Sequence, residues 1–135
     1  MNYILDTHYI LWSLFEPSRI DQDILTILKD TDATKIVSGI SFWEISLKFS
    51  LGKLELFGTN PDEIYERIID SGLEVISVEN RLFASYYKLP KKDKHKDPFD
   101  RMLVWQAIQN DLILITKDNK MEEYIEDGLK IKLGR

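Results

Sequence analysis

The 135 residues are enough for one compact domain with a hydrophobic core and too few for two. Apolar residues at 44% and charged residues at 30% put the chain among ordinary globular proteins, and the net charge of −5 argues against bulk electrostatic attraction to nucleic acid. The lack of cysteine excludes disulfides, thiolate catalysis and Cys-rich zinc sites, and with only His8 and His95 an imidazole-built metal site is not expected.

In chain order, Asn2-Tyr3-Ile4-Leu5 predicts a short apolar strand that stops at Asp6. A helix follows through His8 to Phe15 and breaks before Pro17, whose ring does not fit a helix interior. A second helix is expected from about Asp21 to Asp30, with Ile24, Leu25, Ile27 and Leu28 on its apolar side. Lys35 to Ser38 reads as a strand, and Ser41 begins a helix that carries Phe42, Ile45 and Phe49 and ends near Gly52. Asn60 caps a further helix that has Pro61 at its first position and ends at Gly72. Leu73 to Val78 reads as a strand and Glu79 to Leu89 as a short helix. A loop then carries Lys88, Lys91, Lys92, Lys94 and Lys96, with Arg101 soon after. Asp97-Pro98 opens a helix to about Gln109, with Asn110 as a left-handed stop. Leu112 to Thr116 is an apolar strand, Asn119 to Ile125 a short helix and Leu129 to Leu133 a final strand.

Strands interleaved with helices call for an α/β fold with a mostly parallel sheet, because parallel neighbours need helical crossovers. Such sheets bind ligands at the carboxyl ends of their strands, where the strand order reverses. Asp6 and Asp118 both follow strands. On position alone each is as readily a helix N-cap as a ligand. Glu44 reads structurally as the end of a Ser41-x-x-Glu44 capping box and the partner of Lys48. Asp97 caps the helix that holds Asp100, and Asp100 shares a face with Val104 and Ala107. Its carboxylate is therefore expected to be partly buried, which calls for a compensating cation or strong donors, and a metal fits that need. Any metal here is held by oxygen, which favours Mg²⁺ or Mn²⁺. The three tryptophans, at helical spacings, read as core, and His8 and His95 are given no role.

Four motifs carry a family resemblance. Tyr3-Ile4-Leu5-Asp6-Thr7-His8 with Leu11-Trp12 resembles the opening of PIN-domain toxins of the VapC type. Ser41-Phe42-Trp43-Glu44-Ile45 with Lys48 is similar to their second acidic motif. Asp97-Pro98-Phe99-Asp100-Arg101-Met102-Leu103 is similar to the third, and Leu114-Ile115-Thr116-Lys117-Asp118 to the fourth. The order is the family's and spans Asn2 to Asp118. Two features depart from it: Val104-Trp105-Gln106-Ala107 where many relatives carry small residues, and Asp97 as an extra acid.

The resemblance implies a single PIN domain over residues 1–135, a three-layer α/β/α sandwich with a mostly parallel sheet of about five strands. It implies that Asp6, Glu44, Asp100 and Asp118 converge, with Asp6 and Asp100 as direct Mg²⁺ ligands and Thr7, Thr116 and Asp97 around them; Asp97 remains open as the third ligand in place of Asp100. The implied activity is metal-dependent cleavage of RNA by the toxin of a toxin–antitoxin pair, homodimeric and neutralised by a small antitoxin. Contact area for partners is expected around Ile24 to Leu28 or near Phe49. Rival readings are a phosphatase, a receiver-like domain and a catalytically silent binding module. The phosphatase would need an acid where His8 stands, and the receiver would need an acidic pair after the first strand. Asp6, Glu16 and Arg19 interrupt the only promising apolar run, so no membrane span or signal peptide is expected, and the expected address is the cytoplasm.

Overall fold

The computed structural model describes residues 1–135, and its elements follow the strand–helix alternation. β1 (Asn2–Leu5) leads into α1 (Thr7–Phe15), a 3₁₀ turn (Pro17–Arg19) and α2 (Gln22–Lys29). Then come β2 (Thr34–Ser38), α3 (Gly39–Ser50), α4 (Pro61–Ile69) and β3 (Glu74–Ile76). The chain continues with α5 (Asn80–Ser85), a 3₁₀ turn (Tyr86–Lys88), α6 (Pro98–Gln109) and β4 (Ile113–Thr116). A 3₁₀ segment (Asn119–Asp127) and β5 (Lys130–Leu133) complete it.

The strands form one sheet in the order β3-β2-β1-β4-β5, and every neighbouring pair is parallel. The chain steps outward from β1 to β2 and β3, then returns to the other side of β1 as β4 and β5. The order thus reverses at β1, and the carboxyl ends of β1 and β4 flank the switch point. Leu5 pairs with Ile115, and the Asp6 amide donates to the Ile115 carbonyl at 2.9 Å. That register brings Asp6 level with Thr116.

Alternation along the strands divides the core into two layers. Ile4, Ile36 and Leu114 pack with Leu103, Val104 and Ala107 of α6 and with Met121 and Tyr124. Tyr3, Leu5, Val37 and Ile115 pack on the opposite face against Tyr9, Ile10, Ile24, Ile45, Ile64 and Ile68. Each fully buried Ile or Leu contributes about 1.5–3 kcal/mol, so both helical layers are firmly held to the sheet. No helix is long and apolar enough to cross a membrane.

Four local expectations are corrected. The cap of α3 is Ser38, whose hydroxyl accepts from the Ile40 amide at 3.1 Å, so Ser41 lies inside the helix and forms no capping box. Asn110 ends α6 with a negative φ, and the left-handed position is Asp111, at φ 54°. Trp43 is 59% exposed and not core, its ring edge-on to Phe99 at 4.9 Å. Ile24 is fully buried, so α2 offers it to no partner.

Candidate functional site

Because β1 is central and ends at the switch point, Asp6 leaves the sheet almost completely buried. Its Oδ1 accepts from the His8 amide at 3.0 Å, which caps α1, with the His8 Nδ1 at 3.4 Å. Its Oδ2 accepts from the Thr116 hydroxyl at 2.7 Å. The same hydroxyl accepts from the Asp118 amide at 3.1 Å, which ties the ends of β1 and β4 together. Burial works to raise the Asp6 carboxyl, but the bonds from His8 and Thr116 outweigh it and hold the group below the usual Asp value. Asp118 accepts from the Lys120 amide at 3.0 Å through one oxygen, so it is a cap as well.

α3 supplies the next carboxylate. The Thr7 hydroxyl donates to Ser41 Oγ at 2.9 Å, a buried bond that fixes the start of α1 against α3. One turn on, Glu44 is buried; its Oε2 accepts from Lys48, while its Oε1 has no hydrogen-bond partner. The ion pair read from the sequence is present, and it engages only half of the carboxylate.

α6 supplies the rest. Asp97 is its N-cap, accepting from the Asp100 amide at 3.0 Å. Asp100 is partly buried, with a side chain 24% exposed. Burial pushes its carboxyl up, and the charges of Asp6, Asp97 and Glu44 add to this against the opposing effect of the nearby His95. His95, Asp100 and Asp118 each offer one atom in a group whose members all lie within 4.8 Å of one another.

The chemistry of this donor set fits a hard dication. It is dominated by carboxylates, it concentrates negative charge, and it includes a buried carboxylate oxygen without a donor. Such an oxygen is costly unless a cation or hydrogen bond satisfies it. Asp100 and Asp118 offer carboxylate oxygens close enough to share it, beside His95; Asp6, braced by Thr116, and Glu44, on the helix that Thr7 ties down, are the further buried carboxylates.

His95 was missed by the sequence reading. It sits in the lysine-rich loop, where polarity predicts exposure, yet it is buried and turned towards Asp100 and Asp118. Its Nδ1 lies 2.7 Å from the Tyr124 hydroxyl. Only the pairing of loop and 3₁₀ segment brings these residues together, so no local spacing reveals them. The loop itself is anchored: Lys92 pairs with Glu126 and Asp127, both at 2.8 Å. Arg101, counted with the basic residues, is buried and donates to Leu89 and Pro90 carbonyls. Lys88, Lys91, Lys94 and Lys96 remain exposed. A separate open cleft is lined by Asp6 and Asp118 together with His8, Trp12, Arg19, Lys117 and Lys120, which sets cations beside the acids.

Residues 3–126 match the PIN domain family. No curated protein matches the chain significantly. Among solved structures, the chain is similar to VapBC2 from Rickettsia felis bound to a DNA fragment from its promoter, at 17% identity over 100% of both chains with a TM-score of 0.71. It is similar to VapBC-1 from nontypeable Haemophilus influenzae, at 20% identity over 98% of both chains and a TM-score of 0.67. A toxin-antitoxin complex from Klebsiella pneumoniae is also similar, at 22% identity over 87% of this chain and 88% of that one, with a TM-score of 0.56. These likenesses establish the fold.

Proposed function

The chain belongs to the PIN-domain family, and from that premise we propose that it is an Mg²⁺-dependent endoribonuclease, also served by Mn²⁺, that acts as the toxin of a toxin–antitoxin pair. The observations that support the reading are the buried, donorless Glu44 Oε1 and the Asp100 and Asp118 carboxylates, whose oxygens lie within 4.8 Å of each other. When bound, the cation lowers the pKa of a water and stabilises charge on the phosphodiester. Asp6 and Asp100 are its direct ligands, and Glu44 and Asp118 bind directly or through water. Thr116 holds Asp6 in one rotamer. Thr7 holds α3, and Asp97 holds the first turn of α6 so that Asp100 faces the other acids. Arg19, Lys117 and Lys120 line the cleft beside Asp6 and Asp118 and suit the phosphates of an RNA strand despite the acidic net charge.

The description of the Klebsiella pneumoniae neighbour as a toxin-antitoxin complex supports a small antitoxin as partner. Leu47, Phe49 and Leu51 are exposed along the end of α3 and suit contact with a second copy or that antitoxin. The whole of residues 1–135 is one PIN domain, working in the cytoplasm.

The test is RNA cleavage by the purified chain with Mg²⁺, with a chelator, and beside Asp6→Asn. Cleavage by the parent that the chelator and the substitution both abolish supports the nuclease. A parent that binds RNA and never cuts it under any divalent cation turns the reading to a silent binding module. Sequencing RNA ends after brief induction in cells, with and without a co-expressed antitoxin, tests the toxin role.

A further inference from the structure

We propose that His95 is a positioning residue of this site, its imidazole fixed with the proton on Nε2 so that the N–H braces Asp100 against Asp118. The inference rests on the reading of those two acids as cation-binding carboxylates.

The case begins with hydrogen-bond direction. Arg101 has donors and no acceptor. Its Nη1 donates to the Tyr124 hydroxyl at 2.9 Å, its Nε to the Tyr86 hydroxyl at 2.8 Å, and its other contacts are the Leu89 and Pro90 carbonyls, both at 3.1 Å. The Tyr124 oxygen therefore accepts from Arg101, and the one acceptor within hydrogen-bond reach of its proton is His95 Nδ1, 2.7 Å away, which makes Tyr124 the donor of that bond in this proposal. With Nδ1 accepting, the neutral ring carries its proton on Nε2.

Nε2 has no hydrogen-bond partner, although His95 is only 4% exposed. It faces Asp100 Oδ2 at 3.7 Å and Asp118 Oδ2 at 3.8 Å. At this separation the N–H acts through its dipole. Its partial positive charge stands between two anionic oxygens in a poorly screened setting and offsets their repulsion. An N–H cannot coordinate a cation, so His95 arranges the ligands and is not one of them. The anchored loop keeps the ring there, with Lys92 paired to Glu126 and Asp127 and the edge of the imidazole against the Tyr124 ring.

Two measurements on the full chain test this without RNA. In the histidine-labelled protein, long-range ¹H–¹⁵N spectra are expected to show His95 protonated on Nε2 and bare on Nδ1, with that preference lost in Tyr124→Phe. Calorimetric titration with Mn²⁺ alone is expected to show His95→Leu weakened about 10–100-fold, the range for partners that orient metal ligands. His95→Gln, whose amide NH₂ reaches the Nε2 position, recovers most of that loss. His95→Asn, which reaches only the Nδ1 position, does not. Because Gln and Asn are both polar replacements, a folding defect in the Leu variant leaves their comparison decisive.

A bare Nε2 overturns the proposal, since the ring would then be a ligand. Equal Mn²⁺ affinities for the Gln and Asn variants overturn it too, as does a parent that binds no Mn²⁺. A parent that binds Mn²⁺, shows the expected tautomer and cleaves no RNA removes the nuclease reading and leaves the role of His95 intact.

Discussion

The Thr116 hydroxyl donates to Asp6 Oδ2 at 2.7 Å across neighbouring strands of the sheet. Since the Thr116 Oγ1 itself accepts from the Asp118 amide, one hydroxyl sets the spacing of two carboxylates. Thr116→Val keeps the shape and removes both bonds. Leaving these buried groups unsatisfied is expected to cost about 1–3 kcal/mol in urea unfolding. Mn²⁺ affinity is expected to fall about tenfold or more, as for other partners that orient metal ligands. Thr116→Ser is expected to restore most of both. A valine variant with parental stability and affinity would show that the hydroxyl sets nothing.

Neutralising Asp6 and neutralising Asp100 are expected to move apo stability in opposite directions. Repulsion among the acids alone predicts that any such change steadies the apo protein. Asp6, however, receives the Thr116 hydroxyl and the His8 amide, and Asn in its place turns an NH₂ towards one of these donors. Asp6→Asn is therefore expected to destabilise by about 1–3 kcal/mol. Asp100 is held up by burial and by neighbouring negative charge, so Asp100→Asn is expected to raise the melting temperature without metal. Both are expected to lose cleavage. Thermal melts in chelator, where equal shifts would refute the distinction, decide it.

The layout was legible because the strands that lead into the site end in marked boundaries. Asp6 follows Leu5, Asp118 comes soon after Thr116, and Asp97-Pro98 opens α6. Composition and capping chemistry are local, so they survive in the sequence. Partners set by tertiary contact do not. Ser41 resembled a cap because the Ser-x-x-Glu pattern is the same whether it opens a helix or lies within one; Ser38 took the cap three residues earlier. Trp43 resembled core because helical spacing does not tell a buried stripe from an exposed one. His95 was out of reach for the same reason, since its surroundings come from Tyr124, 29 residues away.

Asp97 separates capping from chemistry. Its Oδ1 accepts from the Asp100 amide, and Pro98 follows at the first helical position. Asp97→Ala is expected to cost about 0.5–2 kcal/mol and to leave substantial activity, with Asp97→Ser restoring the stability. If Asp97→Ser were as inactive as Asp6→Asn while Asp100→Asn cleaved normally, Asp97 would replace Asp100 as the third ligand.

A pH-dependent clasp ties α2 to the chain just beyond β5. Asp21 Oδ1 caps α2 through the Ile24 amide at 2.9 Å, and its Oδ2 accepts from the Arg135 amide at 2.7 Å. Burial pulls the carboxyl up, but the two amides and the charges of Lys132 and Arg135 outweigh it and hold the group below the usual Asp value. A folded-state pKa below the unfolded one means stability that is fully present above the unfolded value, about 3.9, and lost as pH falls through the folded value. Asp21→Asn keeps a capping oxygen and removes the charge. It is therefore expected to be less stable than the parent at pH 6, with the gap closing as pH falls below about 4. Salt is expected to narrow the gap at pH 6, because exposed charges are screened within about 10 Å at 0.1 M. Urea unfolding of both proteins from pH 6 to pH 3 measures it. A gap constant across that range would mean that the two amide bonds, and not the ionised form, make the clasp.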